Sequence, residues 1–155
     1  MNLRQITEKD QLNLKKVYFD SIISIDEKIY DSEQKVAWAS QAWKNNNFNK
    51  SIIQGKGWLI YEKNEIIAFA TRYPKDRISL LYCRGIYQRR GNGTRLILKL
   101  ERDAIEEGLP FLTTEASLIS YKLFLRNKWN IIRKEKIIIN NKIFERYKMI
   151  KKFKY

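Results

Sequence analysis

The apolar positions fall into short blocks whose spacing changes along the chain. Leu12, Leu14, Val17, Tyr18, Ile22 and Ile25 recur at near-helical intervals behind Thr7-Glu8-Lys9-Asp10, where Thr7 reads as an N-cap with Asp10 three residues on. A first helix is therefore expected to run to about Ser24, after a short strand at Leu3-Arg4-Gln5-Ile6. A second should open at Asp31 or Ser32, bury Val36, Ala37, Ala39 and Trp43 with Trp38 at the margin, and stop at Asn45-Asn46-Asn47.

Beyond Gly55 and Gly57 the period shortens. Trp58-Leu59-Ile60-Tyr61 and Ile66-Ile67-Ala68-Phe69-Ala70-Thr71 flank Glu62-Lys63-Asn64-Glu65, the pattern of an antiparallel hairpin, and Tyr73-Pro74-Lys75-Asp76 turns the chain into a third strand, Ile78 to Cys83. A helix from Thr94 to Glu107 follows, with Leu96, Ile97, Leu100, Ala104 and Ile105 on one side and Gly108 and Pro110 marking its end. Phe111-Leu112-Thr113-Thr114 has crossed over through that helix, so it should lie parallel to its predecessor. A short helix between Ser117 and Asn127 and closing strands on either side of Asn140-Asn141 complete the order. The expectation is a single domain over residues 1–155, α/β (α+β), with a mixed central sheet of six to seven strands and four helices.

Between the third meander strand and the long helix stands Gln88-Arg89-Arg90-Gly91-Asn92-Gly93-Thr94. A helix start leaves its first amide donors unpaired and carries a partial positive charge, so a strand, glycine loop and helix in that order suit a phosphate or pyrophosphate. The loop is not a P-loop, because no Lys follows Gly93, and not a dinucleotide fingerprint, because the third glycine position holds Leu96.

Composition narrows the chemistry. The chain has 155 residues, one cysteine (Cys83) and no histidine, which argues against disulfides, cysteine clusters and zinc. No apolar run is long enough to span a bilayer and no signal-like segment stands at the start, so a cytoplasmic location without membrane attachment is expected. The formal charge is +14, and the excess is C-terminal: from Tyr121 to Tyr155 twelve Lys or Arg face two Glu. We read that excess as a solvated face rather than a nucleic-acid surface, since no base-reading motif accompanies it.

The order of elements, with Gln88-Arg89-Arg90-Gly91-Asn92-Gly93 placed after the fourth strand, resembles the GNAT family of acetyl-CoA-dependent N-acetyltransferases. Tyr30-Asp31-Ser32-Glu33-Gln34 with Trp38, Leu80-Leu81-Tyr82-Cys83, Thr114-Glu115-Ala116-Ser117 and the terminal Tyr147-Lys148-Met149 are similar to a bacterial small GNAT subgroup. The resemblance implies a fourth strand splayed from the fifth. It implies coenzyme A pyrophosphate on the amides of Arg89 to Thr94, with Gln88 at the loop's edge. The pantetheine arm should lie against Leu81, Tyr82 and Cys83, and the oxyanion donor should be a backbone N–H near Tyr82 or Cys83. No metal is implied.

The family's usual proton donor is a tyrosine on the helix after the fifth strand, and matching that segment places Phe124 there, lining the coenzyme without a hydroxyl. Tyr121, one turn earlier, is the nearest substitute, with solvent as a further proton source. Without histidine the base falls to a carboxylate, a tyrosine or a water chain: Glu115 first, Glu33 behind it. Trp38, Trp43 and Tyr30 are candidates to line the pocket for an amine acceptor, a small molecule or a protein. A closing strand left exposed could pair across a homodimer. Two other functions compete: a coenzyme-binding protein that has lost catalysis, and a basic nucleic-acid-binding protein.

Overall fold

The computed structural model describes residues 2–155. Seven strands form one sheet in the order β1-β2-β3-β4-β5-β7-β6, where β1 is Asn2–Gln5, β2 Lys56–Glu62, β3 Glu65–Arg72, β4 Arg77–Cys83, β5 Phe111–Ser117, β6 Asn130–Ile139 and β7 Lys142–Lys152. Only the β4–β5 pair is parallel, as its helical crossover requires. Both predicted hairpins form, and their turn residues Lys63-Asn64 and Asn140-Asn141 all have positive φ, the geometry whose twist matches flanking strands.

Helices cover both faces. On one side lie α1 (Gln11–Ile23), α2 (Ser32–Ala39), α3 (Gln41–Lys44) and α4 (Asn46–Ile53), packed through Leu14, Val17, Ala37 and Phe48 against Leu59 and Phe69. On the other lie α5 (Asn92–Glu106) and α6 (Tyr121–Arg126), whose Leu96, Ile97, Leu100 and Phe124 meet Ile60, Ile78 and Leu112. Among the described residues, no helix is long and apolar enough to cross a membrane.

The expected second helix differs from the one that forms. Asn45 does end a helix, adopting an extended conformation after α3, but its side chain also accepts the Asn47 N–H at 2.7 Å and so starts α4. That extra helix fills the stretch between Asn45 and Gly55. Val36 and Trp43 are exposed, and Leu12 and Ile105 likewise face outward from α1 and α5.

The feature that sets up the site is in β4. Thr71 pairs with Leu80 but Arg72 pairs with Ile78, so Ser79 is one residue too many for the ladder and forms a bulge. Beside it, β4 pairs with β5 only at Arg77↔Thr113 and Ile78↔Thr114. The Thr114 hydroxyl donates to the Ile78 carbonyl at 2.9 Å at this last rung, and beyond it the two strands part. The splay implied by the resemblance is present, while on its other edge β5 stays paired with β7 from Phe111 to Ser117.

Candidate active site

Strand alternation decides which groups face the gap. The Arg84 N–H donates to the Ile67 carbonyl at 2.8 Å, so in this antiparallel pair the even-numbered residues 84 and 82 turn their backbone polar groups to β3. Leu81 and Cys83 therefore turn theirs towards the gap. Of the two amides expected near an oxyanion, that of Tyr82 is thus turned to β3, while that of Cys83, like that of Leu81, faces the gap. The Cys83 carbonyl takes one bond from the Gln88 side-chain amide, at 3.3 Å.

The gap continues into the glycine loop. Helix α5 begins at Asn92, two residues earlier than the periodicity suggested, so Asn92, Gly93 and Thr94 form its first turn. Its N-cap is Gly91, at φ 82°, a left-handed conformation that glycine adopts without strain. A glycine cap has no side-chain oxygen, and the first-turn amides have no internal acceptor. Arg89 also has a positive φ, of 60°, and its side chain is exposed. The Arg90 guanidinium lies over the Tyr87 ring, 5.4 Å from its centre. Asn92 is buried and donates to the Tyr87 carbonyl at 3.1 Å, which ties the loop to the helix. At Gly93 a Cβ would stand 2.6 Å from Leu123 Cδ2, so glycine is what allows α6 to pack against the start of α5.

A narrow cavity of ≈ 70 Å³ lies between the parted strands, lined by Trp38, Leu81, Glu115, Ser117, Ser120 and Phe124 among others. A larger one of ≈ 240 Å³ opens on the α1–α4 face, between α4, the Tyr73-Pro74 turn and β4. Both include Ser79, Leu80 and Tyr82 in their walls. The bulge therefore sits where two approaches to one point meet. Rings dominate the shared wall: Tyr82 stands 4.7 Å from Tyr18 and 6.3 Å from Trp38, centre to centre. Burial raises the Tyr82 hydroxyl well above the ordinary tyrosine range, opposed in part by a hydrogen bond with the Trp38 side chain. Burial raises Tyr18 too, and its hydroxyl is spent on the Trp38 carbonyl at 2.8 Å.

The other singled-out side chains are dispersed. Phe124 is 1% exposed, packed edge-on against Trp129, and it presents a ring with no hydroxyl to the narrow cavity. Tyr121 stacks on Tyr147 with ring centres 4.4 Å apart and lines neither cavity. Glu115 does border the gap, but both its oxygens accept from Arg77 Nε at 3.1 Å, and Lys148 Nζ lies 3.6 Å away. Glu33 is 73% exposed and pairs with Lys142 of the closing hairpin. The Tyr30 hydroxyl accepts the Leu118 amide at 3.1 Å beside Trp38, whereas Trp43 packs on Phe19, away from both cavities. The Cys83 thiol, raised chiefly by burial and lowered in part by Asn92, packs towards α5.

Sequence reasoning missed Ser79, Arg77 and the Ser117–Ser120 pair. The first had at most a weak signal, a lone polar residue between Ile78 and the apolar run Leu80-Leu81-Tyr82-Cys83. The serines show none, being joined to one another and to local backbone, Ser120 Oγ accepting from the Ser117 amide at 3.1 Å.

Residues 27–137 match the acetyltransferase (GNAT) domain family. The chain belongs to that family. No curated protein matches it at a significant level. Among solved structures, it is similar to a GCN5-related N-acetyltransferase from Rhodopseudomonas palustris, with 26% identity, TM-score 0.90, and 98% of this chain and 95% of that one covered. Two more distant structures share the fold. One is PaiA N-acetyltransferase from Thermoplasma acidophilum in complex with coenzyme A, at 16% identity, TM-score 0.73, covering 99% and 100%. The other is ribosomal-protein-alanine N-acetyltransferase from Brucella melitensis, at 17% identity, TM-score 0.67, covering 99% and 100%.

Proposed function

We propose that residues 1–155 act as one domain that transfers acetyl from acetyl-CoA to a primary amine by direct attack, without an acyl-enzyme. The observation that carries this reading is the parting of β4 from β5 after Ile78, which turns the Leu81 and Cys83 backbone into a gap leading to the uncapped start of α5. Coenzyme A fits this set on two counts. Its pantetheine arm carries amides that can pair with strand groups lacking a neighbour, and its diphosphate suits amides that no side chain caps. When bound, it supplies an acyl thioester.

Each part of the chain then has a role. The Asn92, Gly93 and Thr94 amides, with Gln88, Arg89, Arg90 and Gly91 around them, hold the diphosphate, and Leu81 and Cys83 align the arm. Their N–H groups also stand where they can donate to the acyl oxygen as charge develops on it. Tyr82 and Trp38 keep water out, and the acceptor amine enters through the larger cavity. Phe124 cannot give a proton, and Glu115 is committed to two cations, so proton transfer at neutral pH falls to water, assisted at most by the Ser117 and Ser120 hydroxyls in the narrow cavity. The thiolate of the departing coenzyme is a tolerable leaving group, a free thiol having a pKa of about 8.5, which makes that route adequate.

Titrating the protein with coenzyme A calorimetrically, then following thiol release from acetyl-CoA with an amine panel, tests the reading. Micromolar coenzyme binding with amine-dependent thiol release is expected; no coenzyme binding overturns it. A second reading, coenzyme binding without turnover, is favoured by Phe124. Tight coenzyme binding with no thiol release on any amine would select it.

A further inference from the structure

We propose that the acceptor is a small primary amine carrying a carboxylate some 7 Å from its nitrogen, recognised by Arg77; the proposal rests on the acetyl-transfer reading above. Three observations support it. Arg77 is the only charged side chain in the wall of the larger cavity, where its neighbours are amides, hydroxyls and rings. Its guanidinium is held rigidly, Nε on Glu115 and Nη1 on the Tyr73 carbonyl at 3.0 Å, and among the described residues Nη2 is committed to no acceptor. Arg77 is 35% exposed, so that nitrogen can be reached.

The surrounding charge has the same sign. Residues opposite one another in register share a face, so Glu115, Lys148 and Arg133 stand in one row, with Ser117, Arg146 and Glu135 in the next. Arg77, Lys148, Arg146 and Arg133 thus face Glu115 and Glu135, a surplus of cations on the sheet face that Arg77 shares, with Arg77 alone of them lining the larger cavity. A second ammonium on the acceptor would meet like charge and only carboxylates already paired with these cations, whereas a carboxylate gains a charge-assisted bond from a preset donor.

The spacing follows from where the ladder ends. Glu115, one residue past the last rung Ile78↔Thr114, holds the guanidinium at the mouth of the gap, near Ser79. The gap-facing amide of Leu81 lies two residues further on, about 7 Å at strand rise. That is the reach of a five-carbon ω-amino acid and more than twice that of an α-amino acid.

The test uses four amines of matched size with acetyl-CoA and the unaltered protein: 5-aminopentanoate, 2-aminopentanoate, pentylamine and 1,5-diaminopentane. Thiol release should favour 5-aminopentanoate over pentylamine by about tenfold in kcat/KM, with 2-aminopentanoate no better than pentylamine and the diamine poorest. Arg77→Gln should bring the preference to within about threefold by raising KM while kcat holds, and Arg77→Lys should restore part of it. The proposal is overturned if the diamine matches or exceeds 5-aminopentanoate, or if the preference survives in Arg77→Gln. Should the Gln variant fail to melt cooperatively, the four-amine ranking on the unaltered protein decides alone. Coenzyme binding with no turnover of any of the four overturns the acceptor class and leaves the coenzyme assignment standing; no coenzyme binding removes both.

Discussion

The two approaches to the site are made of different material. From the α5 side the groups facing the gap are backbone: the Leu81 and Cys83 peptide units and the first amides of α5, shaped by Gly91 and Gly93. From the α4 side they are side chains, Arg77, Tyr82 and the hydroxyls and amides near them. A backbone site depends on conformation, so many sequences can build it and one substitution harms it mainly through φ and ψ. A side-chain site depends on identity, and that is where one family can diverge in acceptor while keeping one coenzyme.

The sharpest way to break this contrast is at Gly91. Nothing lies within 4 Å of a Cβ there, so Gly91→Val acts through its left-handed φ alone. Left-handed backbone costs an ordinary residue about 1–2 kcal/mol and a β-branched one more, so coenzyme affinity should fall by about tenfold or more in calorimetric titration. Gly91→Asn should retain most of it. Equal affinity for the Val variant would show that conformation is not what the loop supplies.

Next in size is Phe124→Tyr, which puts a hydroxyl where the coenzyme approach lacks an acid. A well-positioned acid contributes about 10²–10⁴-fold and one placed without further adjustment less, so a rise in kcat of about tenfold is expected, measured by thiol release. The hydroxyl enters a buried site and should lower the melting temperature by a few degrees, by about 1–3 kcal/mol of desolvation. Unchanged kcat would mean that proton supply does not limit turnover.

Glu115→Gln separates the two sides further. Held between Arg77 and Lys148, Glu115 should matter to acceptor KM by about two- to fivefold and leave the kcat–pH profile in place. A loss of kcat of about 10² or more, with the acid limb gone, would make it the base instead. The smallest effect is at Cys83. Burial raises its thiol, so less thiolate is present at pH 8 than in a free cysteine of pKa about 8.5. Iodoacetamide labelling should therefore be at least about threefold slower than for a free thiol, keep accelerating above pH 9, and slow again with coenzyme A bound. Labelling that plateaus by pH 8 would contradict this.

The contrast also explains what could be read in the sequence. Gly91, Gly93, the two Asn-containing hairpins and the apolar side of α5 each obey a local rule, and these carried the sheet, the crossover and the glycine loop that opens α5. The acceptor side obeys no such rule. Asn45-Asn46-Asn47 reads as a stop, yet Asn45 also caps α4, and only the packing of Phe48 and Ile52 against the core shows that a helix follows. Trp43 satisfies helical spacing yet lies outside, 52% exposed, because it shares the outward face with exposed Val36 while the small Ala37, Ala39 and Ala42 turn to the core. Glu115 stood out as an acid at a strand end, but its partner Arg77 is 38 residues away and meets it only through the parallel rungs.

Ser79 carries a consequence of a different order. Were that single codon lost, Ile78 and Leu80 would become neighbours in an unbroken two-residue rhythm, and β4 could zip to β5 along its full length. The molecule would keep its hydrophobic interior and both hairpins, yet have no seam for an acyl donor to enter. In this architecture the difference between a catalyst and an inert slab is one surplus peptide unit.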